Sequence, residues 1–130
     1  MKNLLREIKK CAQTKYKKSY SVTQQDCDAN GKLQMWVLLN LIEGMQEEPA
    51  ACLAQIAPQY KKDLKQVSLQ LFHSAHRGDK LEMEARFYEI DKRKVELKIW
   101  VRKIKPDKST KRICRAGYHF HAIYDNANTE

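Results

Sequence analysis

The chain has 130 residues, 42% of them hydrophobic, with 25 Lys and Arg against 16 Asp and Glu for a formal net charge of +9; this suits one domain around one modest core, with either an anionic partner steered by long-range charge or a merely solvated basic surface. No apolar run approaches the roughly 18–20 residues of a membrane span, and the charged residues 1–8 lack the apolar stretch of a signal peptide. The four cysteines (Cys11, Cys27, Cys52, Cys114) lie far apart with no C-x-x-C pair, which argues against a zinc ribbon and a disulfide scaffold and leads us to expect reduced thiols in the cytoplasm.

Residues 2–12 place Leu4, Leu5, Ile8 and Cys11 at helical spacing and predict a short amphipathic helix. Residues 16–23 alternate, with Tyr16, Tyr20 and Val22 on one face, and predict a strand. Residues 24–32 are polar and turn-forming. From Leu33 to about Ala57 runs the longest helical pattern, with Val37, Leu38, Leu41, Ile42 and Met45 in one apolar stripe. Pro49 lies inside it, and a break or kink is expected near Glu47 and Glu48, because proline removes a donor and clashes one turn back.

Beyond Pro58 the period changes to two. Val67, Leu69 and Leu71 alternate with polar residues; so do Leu81, Met83, Ala85 and Phe87, then Val95, Leu97, Ile99 and Val101, then Cys114, Ala116, Tyr118 and Phe120. Short turn signals separate these runs. The pattern predicts an antiparallel sheet of five strands, near 16–23, 64–74, 79–90, 93–104 and 111–125, with one long helix covering its buried face.

Within this order, Asp26-Cys27-Asp28-Ala29-Asn30-Gly31, just ahead of the helix, resembles the D-x-D-x-x-G signature of hotdog thioesterases of the 4-hydroxybenzoyl-CoA type. Leu38-Leu39-Asn40-Leu41-Ile42, followed by Glu48 and Ala50, is similar to the helix of bacterial acyl-carrier-protein thioesterases. Gly78-Asp79-Lys80-Leu81 matches the G-D-x-L turn of both groups. The resemblance spans residues 16–125. It implies an α+β fold, a single hotdog domain over residues 1–130 with the curved sheet wrapped around the long helix. It also implies a cytoplasmic acyl thioester hydrolase acting on acyl-CoA or acyl carrier protein. The alternative is a hotdog protein that binds or transfers an acyl group without hydrolysis. Hotdog sites lie between subunits, so a homo-oligomer, dimer or tetramer, is expected. No cofactor, metal, nucleic acid or membrane partner is expected. Many relatives carry His after the glycine and then two Asn; here Lys32, Leu33, Gln34 and Met35 follow Gly31. No histidine precedes Glu43, which argues against the dehydratase branch.

Thioester hydrolysis needs a carboxylate that attacks or activates water, and donors for the developing oxyanion. By resemblance Asp28 is the first candidate carboxylate, and the backbone N–H of Met35, at the start of the helix, is the oxyanion donor. The competing reading is that Asp26 and Asp28 only hold a turn or cap the helix. Trp36, Asn40, Glu43 and Glu47 recur at steps of three or four on one polar-edged stripe. Glu43 is the second candidate carboxylate, with Asn40, Gln34 and Trp36 as substrate-binding residues; a solvated helix face has the same spacing. His119 and His121 share a strand face and are expected to be ordinary surface histidines. Cys27, between two aspartates, should have a raised pKa and make a poor nucleophile.

Overall fold

The computed structural model describes Cys11, residues 16–91 and residues 93–123. Five strands and one long helix follow in the expected order: β1 (Tyr16–Ser21), a 3-10 turn (Gln24–Asp26), α1 (Met35–Ile56), β2 (Tyr60–Leu71), β3 (Lys80–Asp91), β4 (Lys94–Ile104) and β5 (Thr110–Ala122). The strands form one antiparallel sheet in the order β1-β3-β4-β5-β2, curled around α1. The predicted helix over residues 2–12 lies outside the described residues except for Cys11, which is helical. Residues 60–63 of β2 were not foreseen, and the strand ends at Leu71 rather than near residue 74. Tyr60 pairs with Ala122 and is buried, so the strand begins where a core aromatic can first face inward.

Alternation puts one residue from each strand into inner-face rows. The central row reads Tyr16, Ala85, Ile99, Ala116 and Leu69 across the sheet. Its first four members are buried, whereas Leu69 is 39% exposed. Its inner-facing neighbours Val67 and Leu71 are also exposed. The helix packs chiefly over β3 and β4, and these three side chains of β2 stay exposed.

The expected break at Pro49 does not occur: α1 runs through it to Ile56. Proline cannot donate to the Met45 carbonyl and costs about 3 kcal/mol in a helix interior. Met45, Pro49 and Leu53 are all buried on the sheet-facing side. Burying Met45 and Leu53 contributes about 1.5–3 kcal/mol each, enough to hold the helix together.

The expectation of four reduced thiols is also corrected. Cys11 and Cys52 form a disulfide across 41 residues of sequence, with Cα atoms 6.6 Å apart. Spacing along the chain does not show this pairing, because the fold brings Cys11 against Cys52 in the second half of α1. Cys27 and Cys114 are free. A structural disulfide persists in oxidising surroundings, so the thiol argument for a cytoplasmic location falls away.

Candidate functional site

The loop between β1 and α1 is pinned at both ends. Asp26 Oδ2 accepts from the Tyr20 hydroxyl at 2.7 Å, and from the Thr23 N–H and hydroxyl at 2.9 Å each. These donors, the Tyr20 hydroxyl foremost, hold its carboxyl below the usual aspartate value. The Asp26 carbonyl accepts the Gln34 N–H at 3.0 Å, which fixes the loop to the residue capping α1.

Asp28 stands at the exposed tip. Its Oδ1 accepts the N–H groups of Asn30 at 2.9 Å and Lys32 at 3.0 Å, an Asx turn closed by Gly31 at φ 78°. The second half of the loop is bonded to the turn before β3: Arg77 N–H donates to the Gly31 carbonyl and Leu33 N–H to that of Ala75. That turn is braced by Asp79, which accepts the His76 N–H at 2.8 Å and pairs with Lys103 at 3.3 Å. Gly78 sits there at φ 87°, a left-handed conformation that favours glycine. The D-x-D-x-x-G and G-D-x-L segments are therefore two halves of one structure.

Met35 is the first residue of α1, so its N–H has no carbonyl one turn back. Its side chain helps line a cavity of about 240 Å³ with Leu38, Leu71, Phe72 and Ile113. Asp28 lines a separate polar cavity of about 420 Å³ with Cys27, Asn30 and Arg77. Gln34 faces back into the loop, its side-chain amide donating to the Cys27 carbonyl at 3.3 Å. Trp36 is 57% exposed, and Asn40, Glu43 and Glu47 share its open helix face. Burial pushes the Cys27 thiol up, with Asp26 and Asp28 adding to the effect.

Glu43 is not merely solvated. The Tyr118 hydroxyl donates to its Oε1 at 2.8 Å and the Gln46 amide to its Oε2 at 2.7 Å. Gln46 in turn accepts from Lys62 Nζ at 3.1 Å, and that ammonium lies 5.5 Å from the centre of the Tyr118 ring. Burial, and then the Glu43 hydrogen bond, raise the Tyr118 pKa, which keeps the phenol neutral and donating. His119 and His121 lie on the outer face of β5, where His119 Nε2 is 3.3 Å from Glu96.

No protein-family model matches the sequence, and no curated protein is significantly similar to it. Solved structures are similar over most of the chain. An acyl-CoA hydrolase from Staphylococcus aureus, in complex with butyryl coenzyme A, superposes with a TM-score of 0.65 at 18% identity, over 86% of this chain and 67% of that one. A 1,4-dihydroxy-2-naphthoyl-CoA thioesterase from Synechocystis gives 0.60 at 16% identity, over 83% and 81%. The 4-hydroxybenzoyl-CoA thioesterase from Pseudomonas gives 0.62 at 12% identity, over 85% and 86%. The fold is the hotdog fold.

In this hotdog frame, sequence reasoning missed Tyr118 and Gln46, and read Lys62 only as a surface charge, with Lys61, for an acidic carrier protein. One signal was present: Tyr118 falls on the buried face of the last alternating run, and a buried tyrosine hydroxyl needs an acceptor. Nothing in the spacing shows that the acceptor is a carboxylate 75 residues earlier in the chain.

Proposed function

We propose that this hotdog chain hydrolyses an acyl thioester in a site shared between two copies of itself. The observation that carries this reading is the loop–helix junction. The Asp26 carbonyl holds the Gln34 N–H, and Asp28 stands ahead of a helix whose next N–H, that of Met35, has no intrahelical acceptor. A carboxylate on the loop that leads into an open helix N-terminus supplies an attacking or water-activating group, and the helix start a donor for the oxyanion. One such donor is worth about 2.7–4 kcal/mol, and the helix dipole adds to it.

Glu43 is the second carboxylate. It lies eight residues beyond Met35 in α1, about 12 Å along the helix axis, so it does not serve the same carbonyl as the Met35 N–H of its own chain. A second copy is what brings Glu43, with Asn40 and Trp36, to the Asp28 loop. The exposed inner face of the β2 edge supports such an assembly, since unpaired apolar edges are commonly covered by pairing.

The substrate carrier is coenzyme A or an acyl carrier protein, and the net charge of +9 suits either. An acidic carrier protein gains more from a broad basic surface, with the exposed Lys61 at the start of β2 among its contacts. A panel of butyryl-, decanoyl- and benzoyl-coenzyme A, with the same acyl groups on a carrier protein, tests the reading. We expect turnover of at least one, and a loss in kcat of at least about 100-fold in Asp28→Asn with an unchanged melting temperature. The alternative, acyl binding without hydrolysis, is favoured by the hydrogen bonds already held by Asp28 Oδ1 and by both Glu43 oxygens, which occupy lone pairs that attack or water activation would use. Tight binding of the panel with no thiol release would decide for it.

A further inference from the structure

The polar cluster beneath the middle of α1 is more than the core requires. Tyr118 is 3% exposed and Gln46 is 8% exposed. Apolar residues of similar size would close this helix–sheet contact without the desolvation that buried polar groups incur. Instead the bonds run in one direction. Lys62 donates to Gln46 Oε1, which turns the Gln46 amide nitrogen towards Glu43 Oε2. The amide does not flip without setting its NH2 group against an ammonium. Tyr118 donates to the other carboxylate oxygen from β5, so helix and sheet each hold one oxygen of Glu43.

We infer that Tyr118, Gln46 and Lys62 are positioning residues that hold the Glu43 carboxylate in one orientation towards the shared thioester site. The inference rests on the hydrolytic reading above and on Glu43 taking part in it. Tyr118 and Gln46 fix the plane of the carboxylate, and Lys62 fixes Gln46. The remaining lone pairs of Glu43 are left to the open face of α1, where Asn40 and Trp36 lie. A connected network of this kind gains rigidity from its neighbours. Misplacement of a catalytic group by about 1 Å costs on the order of 100-fold in rate.

The test uses whichever of butyryl-, decanoyl- and benzoyl-coenzyme A the wild type turns over fastest. Tyr118→Phe should lower kcat by about 10- to 100-fold, with KM within about twofold. The same substitution in a Glu43→Gln background should have no further effect, because Tyr118 acts through Glu43. Lys62 is only half-buried, so Lys62→Met remains informative where Tyr118→Phe does not fold. It should lower kcat several-fold, and Lys62→Arg should restore it. The inference is overturned if Tyr118→Phe and Lys62→Met keep wild-type kcat while Glu43→Gln is impaired, or if Tyr118→Phe lowers kcat equally in both backgrounds. Wild-type kcat in Glu43→Gln overturns it as well, by removing Glu43 from the reaction. A wild type that turns over no thioester at all defeats the hydrolytic reading beneath it.

Discussion

Asp26 and Asp28 sit two residues apart and have different surroundings. Asp26 takes three donors at one oxygen, one of them from the Tyr20 side chain in β1. Asp28 takes two backbone N–H groups from its own turn and keeps an exposed tip. Asp26 therefore holds the loop, and Asp28 remains the residue of the pair open to a substrate. The resemblance made both aspartates legible as a motif, but which of them the fold consumes depends on Tyr20, whose role no spacing reveals. Because these donors lower the Asp26 pKa in the folded chain, their contribution is present above the ordinary aspartate value of about 3.9. It is lost as pH falls through the lower folded value. Tyr20→Phe should thus destabilise the protein by about 1 kcal/mol at neutral pH. Urea melts should show the gap to wild type closing as pH falls below the ordinary aspartate value of about 3.9; a gap that stays constant would mean that Tyr20 does not depend on the ionised carboxylate.

The period-two runs placed all five strands, because each β-strand has one buried face and writes its burial directly into the sequence. The helix was equally legible up to Pro49, where a local rule lost to packing: Met45, Pro49 and Leu53 share the buried side. The start of β2 was less legible, since Lys61 and Lys62 follow Tyr60 and look like a charged helix end. The Cys11–Cys52 bond was not legible at all, because its two cysteines are 41 residues apart in sequence. It also makes a direct prediction. Denatured without reductant, the protein should react with a thiol reagent only at Cys27 and Cys114, and after reduction at all four cysteines, counted by mass. In the folded state Cys114 should resist labelling, since burial pushes its thiol up to about 12. Four reactive thiols before reduction would restore the reduced chain and the compartment argument that went with it.

The scale of the whole molecule decides between a site within one chain and a site between two. One chain offers Asp28 and the Met35 N–H at the start of α1, and Glu43 about 12 Å further along the same helix. It also leaves Val67, Leu69 and Leu71 on the inner face of an edge strand exposed. A second copy related by a two-fold axis would cover that edge and could set its own Glu43 against the first copy's loop, giving two equivalent sites, each with parts from both chains. Complementation reads this out. Asp28→Asn and Glu43→Gln homo-oligomers should each retain about 1% of wild-type turnover or less. After subunit exchange in an equimolar mixture, half of the dimers carry one of each variant. In such a dimer one site holds both substitutions and the other holds neither, so the mixture should recover roughly a quarter of wild-type activity. Native mass spectrometry would verify that mixed dimers form. Mixed dimers with no recovered turnover would show that Asp28 of one chain and Glu43 of the other do not meet in one shared site, and would overturn the two-chain reading.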